Sequence, residues 1–269
     1  MKIIRQGKNP FSSSQIPVNI ISMDIKGKTA IITGSTGKLA RVIVLSLAEA
    51  GANCICVYHK NAAQAKTLQT ALKKLDVKSL FIPADLTKQQ GIEKVFAGIK
   101  KFTIPQILIN AAAVFDKKPI EKITTDYIKE TFDINFAAAM MMTQKFAAFL
   151  QKKIKQPQKP LGKIINITDA AIEKPPACYS VYSASKAALG SATVSLAKEL
   201  SPDFTVNAVA PGIIHWQKGI TAEQKKRILS RIPANREGLA GEVAGAVKFL
   251  IENDYITGRT LTVDGGWTL

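Results

Sequence analysis

The sequence predicts a doubly wound α/β fold: a mostly seven-stranded parallel sheet with helices on both faces. Three observations carry this reading. From residue 24 onward, short apolar runs alternate with segments of helical period. The runs are apolar throughout rather than alternating, which requires burial on both faces, as in a parallel sheet covered by helices. A glycine-rich turn stands between the first run and the first helix, where βαβ folds receive ligands. In order, the pattern predicts strand 28–33, helix 39–50, strand 53–58, helix 62–75 with a lysine-rich outer face, strand 78–82 and helix 88–101. Strand 106–110 follows, then a long helix ending near Leu150, strand 163–167, helix 179–200 and strand 205–208. A looser helical stretch, helix 239–251 and strand 260–263 complete the series. Repeated βα units with right-handed crossovers make one doubly wound sheet, so residues 24–269 are read as a single domain.

Composition narrows the function. With 46% hydrophobic and 21% charged residues, the 269-residue chain can build a packed core and is not a disordered segment. No run approaches the ~18 apolar residues of a membrane helix; the richest, 136–142, reads as buried helix. Three cysteines (Cys54, Cys56, Cys178) are too few and odd in number for a disulfide framework, so a reducing, cytoplasmic setting is expected. His59 and His215 do not cluster with cysteines, and no metal site is expected. The net charge of +17 attracts anions without choosing among them. Its densest run, Lys152, Lys153, Lys155, Lys159 and Lys163, includes Pro157 and Pro160 and reads as a solvated loop rather than a nucleic-acid patch. Residues 1–22 carry Lys2, Arg5 and Lys8 and no acid. They are read as a flexible extension ending at Met23, as the product of a start placed too early, or, less favoured for want of arginine, as a targeting peptide.

The chemistry lies just after the strands. Thr33-Gly34-Ser35-Thr36-Gly37-Lys38-Leu39-Ala40-Arg41 joins the first strand to the first helix, where backbone N–H groups and the helix N-terminus can receive a pyrophosphate. Two glycines there can equally be plain turn chemistry. After the second strand, His59, Lys60 and Asn61 stand where an acidic residue would bind a ribose 2′-hydroxyl; cations there favour a 2′-phosphate, hence NADPH, unless Lys60 merely opens a solvated helix. Asp85 and Leu86 follow the third strand, and Asp85 can accept from an adenine amine or cap the next helix. Tyr182 and Lys186 lie four residues apart on one helix face. A lysine ammonium beside a phenol is expected to lower its pKa from ~10 and make it a usable proton donor.

With Asn110-Ala111-Ala112-Ala113 after the fourth strand and Asn166-Ile167-Thr168-Asp169 ending the fifth, the chain from Lys26 to its end resembles the short-chain dehydrogenase/reductase family. The resemblance is carried by Thr33-Gly34, Asn110-Ala111-Ala112, Asn135, Tyr182-x-x-x-Lys186, Asn207-x-Val209-x-Pro211-Gly212 and Tyr255 to Trp267. It implies a Rossmann-type fold, with Gly34, Thr36, Lys38 and Leu39 on the cofactor. It extends that contact to Asn110, Ala111, Ala112, Pro211 and Gly212, and to Lys186 on the nicotinamide ribose. Asn135 resembles the asparagine that holds a relay water, or is a satisfied buried amide. The tail resembles a subunit-interface strand and implies a homotetramer or dimer.

Two departures point to a subgroup. Most members have glycine at the positions of Lys38 and Ala40, and serine where this chain has Asp169, preceded by Thr168. Both features, with the segment 58–63 and Phe115, resemble pteridine and dihydromonapterin/dihydrofolate reductases. A carboxylate would repel the alkoxide formed from a carbonyl, whereas a pterin reduced at C=N presents N–H donors to Asp169. Phe115 would stack the flat ring or simply pack in the core. Ala113 stands where relatives have glycine or serine, so no hydroxyl contact is expected there. Asp169 can also be a turn cap, and Trp216, beside His215, a substrate contact or a loop anchor. Lys218, Lys225, Lys226 and Arg227 suit a folate polyglutamate tail or an exposed amphipathic helix. The expected activity is NADPH-dependent reduction of pterins or dihydrofolate. The alternatives are a 3-ketoacyl-carrier or other carbonyl reductase, whose acidic carrier would meet the basic surface, and a non-catalytic NADPH-binding regulatory or nucleic-acid-binding protein.

Overall fold

Neighbouring residues of the central strands divide between two cores, one on each face of the sheet. Ala30, Ile32, Cys54, Cys56, Ile107 and Ile109 join one buried cluster, while Ile31, Ile55, Val57 and Leu108 join the other. This two-sided burial is why the runs carry no polar alternation. The chain is seen in a computed structural model that describes residues 23–154, 160–216 and 219–269. The extension 1–22 and three lysines considered above, Lys155, Lys159 and Lys218, lie outside the described residues.

The strands are β1 (Thr29–Ile32), β2 (Asn53–Tyr58), β3 (Ser79–Pro83), β4 (Ile107–Asn110), β5 (Gly162–Ile167), β6 (Phe204–Pro211) and β7 (Thr260–Val263). They form one parallel sheet in the order β3-β2-β1-β4-β5-β6-β7. The order reverses between β1 and β4, which opens a crevice at their carboxyl ends. Helix α1 (Lys38–Glu49) buries Ala40, Ile43, Val44 and Leu47 at helical spacing, and packs beside α8 (Ala240–Glu252) on one face. Helices α2 (Ala62–Leu72), α3 (Gln89–Gly98), α6 (Ser180–Glu199) and α7 (Ala222–Leu229) lie close to their predicted places.

Two elements differ from expectation. The long helix after β4 starts only at Thr125, capped by Thr124, whose hydroxyl accepts from Tyr127 N. It runs as α4 (Thr125–Phe132), one π-helical turn (Asp133–Ala137) and α5 (Ala138–Lys153). Strand β6 runs three residues past the predicted end because Val209, Ala210 and Pro211 pair with Leu261, Thr262 and Val263 of β7; within it the polar Asn207 is satisfied, its Nδ2 donating to Ile256 O and its Oδ1 accepting from Arg259 N.

One charge is buried beneath the sheet. Lys163, at the start of β5, is 0% exposed, and its Nζ donates to Asn253 O at 2.8 Å and meets Asp254 Oδ1 at 2.6 Å. Burial lowers the lysine pKa, and the bond to Asp254 opposes that fall. The contact ties β5 to the turn after α8. The buried thiols of Cys54 and Cys56 are free, as is the half-buried Cys178; burial pushes Cys54 up to about 12, which leaves it unreactive.

Candidate active site

At the crevice two loops are bonded together. Thr33 Oγ1 accepts from the backbone N–H groups of Ala111 and Ala112 at 3.0 and 3.1 Å. Gly34 has φ +64°, and a Cβ there would lie 2.7 Å from Ala112 Cα, so only glycine permits this approach. Ser35 donates to Val57 O from both its N–H and its hydroxyl. Gly37 ends the loop without a side-chain cap, and no acid occupies the first turn of α1, which leaves the positive end of that helix available to an anion. Thr36 is half-buried, Lys38 is exposed, and Leu39 leans on the core.

A cleft of about 580 Å³ opens from Gly34 and Ala112 past His59 and Lys60 to Asp85, and its far wall is Asp126, Glu130 and Asp133. Lys60 is exposed beside it, while Asn61 caps α2 by accepting from Gln64 N, so the Asn61 side chain is already occupied. Asp85 does not cap α3, whose N-cap is Lys88. Its Oδ1 instead accepts from Thr87 N and Oγ1, and its Oδ2 lies 3.9 Å from His59 Nε2. Burial raises the Asp85 pKa, but the Thr87 bonds and the charges of His59 and Lys88 outweigh it, so the net shift is downward. Leu86 is buried and can offer only backbone. Gly91 presses on this turn: a Cβ there would sit 1.8 Å from Asp85 O. Gly91→Ala should therefore cost ~1–3 kcal/mol of stability as an overpacked site, read from a urea midpoint; an unmoved midpoint would show that the Asp85 turn yields freely.

Behind the cleft, Asn110 is turned into the core. Its Nδ2 donates to Asn166 Oδ1 at 2.9 Å and to Thr143 Oγ1, and Asn166 in turn donates to Thr193. Asn110 Nδ2 thus braces β4 against β5, while Asn110 Oδ1 is buried without a partner among the described residues. Asn135 sits on the π-helical turn, a device frequent at functional sites. Its Oδ1 accepts from Val114 N at 2.8 Å, and its Nδ2 donates to Val114 O and Ser185 Oγ. It is a satisfied amide that ties the β4 loop to α6.

Asp169, just past β5, and Tyr182 and Lys186, on the first turns of α6, meet. The Tyr182 hydroxyl donates to Asp169 Oδ2 at 2.5 Å, and Asp169 Oδ1 accepts from Ala171 N at 2.7 Å. Burial raises the Asp169 pKa, opposed by these two bonds and by the charge of Lys186. Lys186 is fully enclosed; burial lowers it to about 8, against the pull of Asp169, and its Nζ donates to Ile167 O at 2.8 Å. The expectation that Lys186 lowers Tyr182 fails. Burial, then the charge and bond of Asp169, push the phenol well above 10.

Phe115 is not core: it is 46% exposed, with its ring 4.5 Å from that of Tyr182 and stacked on Tyr179 at 4.9 Å. Tyr179 was not singled out from sequence, although its place three residues before Tyr182 sets it on the same helix face. The bonding partner Ser185 and the wall carboxylates of α4 were missed as well. Pro211 ends β6, and Gly212 is needed by packing, since a Cβ would lie 2.7 Å from Asp264 Cα. His215 is lowered by burial and then by the charge of Lys38, which places this loop beside the cofactor loop. Trp216 is half-buried with Lys225 Nζ 5.5 Å from its ring centre. No residue of α7 is buried, so Lys225, Lys226 and Arg227 ride an exposed helix.

A family profile described as Enoyl-(Acyl carrier protein) reductase matches residues 35–268. L-xylulose reductase of Caenorhabditis elegans is 32% identical over 257 residues, 91% of this chain and 97% of that protein. The 3-oxoacyl-(acyl-carrier-protein) reductase of Aquifex aeolicus is 31% identical over 252 residues, 91% of this chain and 99% of that protein. A short-chain dehydrogenase of Burkholderia cenocepacia, solved in complex with NADP, superposes with a TM-score of 0.83 at 28% identity, covering 92% of this chain and all of that one. Sheet order, glycine turn, Tyr182/Lys186 spacing and these likenesses agree: the chain belongs to the short-chain dehydrogenase/reductase family and is an oxidoreductase.

Proposed function

We propose that this chain is an NADPH-dependent reductase of carbonyl groups on small polar molecules or acyl thioesters. The observation that carries the reading is the pair of oxygen acids side by side at the crevice, the Tyr182 hydroxyl and the Asp169 carboxyl, 2.5 Å apart. A carbonyl oxygen accepts two donors. Both Asp169 oxygens accept in the structure, from Tyr182 and from Ala171 N; burial raises the carboxyl's pKa, and once protonated it donates as a serine hydroxyl does, which weakens the objection that a carboxylate would repel an alkoxide. Relatives named for ketose and oxoacyl reduction support the same chemistry.

The cradle fits a dinucleotide: the approach of Gly34 to Ala112 leaves no room for a Cβ, and α1 offers uncapped N–H groups. Thr36, Lys38 and Leu39 would receive the pyrophosphate, His59 and Lys60 a 2′-phosphate, and Asp85 and Leu86 the adenine. Ala111, Ala112, Pro211 and Gly212 would flank the nicotinamide, with Lys186 on its ribose. When bound, NADPH supplies the hydride. Tyr182 gives the proton to the substrate oxygen, and Asp169 orients that oxygen. Asn135 fixes the loop carrying Phe115. The edge strand β7, with exposed Phe249 and Tyr255 nearby, supports a homo-oligomer through that face.

One observation favours a second reading. Phe115 and Tyr179 offer stacked aromatic faces beside Asp169, which suits a flat pterin or dihydrofolate reduced at C=N. Following NADPH oxidation with a ketose, a 3-oxoacyl thioester, dihydrobiopterin, dihydromonapterin and dihydrofolate separates the two. Asp169→Ser sharpens the test: carbonyl turnover should survive within about ten-fold, whereas pterin turnover should fall by ~10²-fold or more with its proton carrier gone. Turnover of pterins alone overturns the carbonyl reading. Silence on every substrate with NADPH still bound overturns both and favours a regulatory binding protein.

A further inference from the structure

Asp169 stands at one end of a short rigid bridge. Its carboxylate caps a single 3₁₀ turn, Ala170–Ile172, and Glu173 N closes that turn on Ala170 O. The next residue, Lys174, bonds elsewhere: its Nζ donates to the backbone oxygens of Trp267, at 3.2 Å, and Leu269. Those oxygens belong to the segment that follows β7, whose turn Asp264 holds closed. Asp264 Oδ1 accepts from Gly266 N, and Oδ2 accepts from Thr268 N and Oγ1. The same turn grips two other segments around the crevice. Gly212 packs on Asp264 Cα, and Ala234 N donates to Gly265 O at 3.0 Å.

We infer that Lys174 is a positioning residue that latches the Asp169 turn onto the 264–269 turn and so holds the Asp169 carboxyl against Tyr182. A lysine amine presents three donors and no acceptor, so two converging backbone oxygens suit it. Between Asp169 and Lys174 the chain has one capped turn and no slack, so releasing the amine frees the carboxyl directly. Among the described residues, Lys174 bonds to none of the groups proposed to bind the cofactor. The inference rests on the reading of Asp169 and Tyr182 as the proton unit, but not on which substrate they serve.

The test compares the full-length protein with Lys174→Ala, Lys174→Arg and Asp264→Asn, the last loosening the turn from its other side. Lys174→Ala should lower kcat/KM by about three- to ten-fold, no further than Asp169→Ser does, as a small misplacement of a group at the reacting centre, with NADPH affinity and melting midpoint unmoved. Amide hydrogen exchange should rise together in residues 170–178 and 266–269. Lys174→Arg should restore both, and Asp264→Asn should reproduce the loss without adding to that of Lys174→Ala. Unchanged exchange in 170–178, or unchanged kcat/KM despite faster exchange, overturns the latch. If the wild type turns over no substrate, the proposed function falls, and the exchange measurement still decides whether Lys174 holds the turn.

Discussion

Tyr182→Phe should lower kcat by two to four orders of magnitude, the range of a positioned acid, while NADPH still binds. The substitution keeps the buried ring and its 4.5 Å approach to Phe115 and removes only the hydroxyl. It also removes a donor that holds the Asp169 pKa down, so that carboxyl should titrate higher still in the variant. The same pair sets the pH dependence of the wild type. Asp169 is raised, so it keeps its proton above the ordinary carboxylate range; once ionised, its charge tightens the phenol's hold on its own proton. Reduction should therefore be fullest below the Asp169 pKa and fall as pH rises through it. The oxidative direction should show the opposite slope. A rate of reduction that rises with pH over that interval would remove Asp169 from the proton path.

The apolar runs made the fold legible. In each of β1, β2 and β4, adjacent residues serve opposite cores, so no alternation blurs the run. What stayed illegible involves partners that are distant in sequence. The true end of β6 was hidden because its last residues are held by pairing with β7, about fifty residues on, which nothing local shows. The π-helical turn at Asn135 leaves no mark in a helical period, yet it aims the amide at Val114 and Ser185. At the site, Asp169, Tyr182 and Lys186 were legible as a constellation, and the structure brings them together. Their electrostatics were not: the phenol's rise depends on how deeply α6 is buried, which four-residue spacing does not reveal. The subgroup reading leaned on Asp169 as a carboxylate, and burial, which raises its pKa, works against that form.

Asp254→Ala should destabilise the protein by ~3–5 kcal/mol, because it strips the partner from a lysine that has no access to water. That is a large share of a typical stability of ~5–15 kcal/mol. Lys163 would retain only the carbonyl of Asn253, at the carboxyl end of α8, where the helix dipole favours a cation but does not neutralise it. Lys163→Met is the control: it removes the fully enclosed charge, keeps the buried hydrocarbon and leaves Asp254 with the 17% of its side chain that solvent reaches, so it should cost less. The two mechanisms separate by pH. A lysine whose folded pKa lies below its unfolded value binds fewer protons when folded, so stability climbs with pH between those two values. Asp254→Ala deepens that depression, since the bond and charge of Asp254 are what hold the pKa up. Its defect should therefore be greatest at neutral pH and shrink as pH approaches ~10.4, where the unfolded lysine also loses its proton. Lys163→Met should show no such recovery. Urea midpoints for both variants across that range test the pair. An Asp254→Ala midpoint equal to wild type at neutral pH would mean that the lysine is hydrated in solution and that β5 is not anchored by this charge.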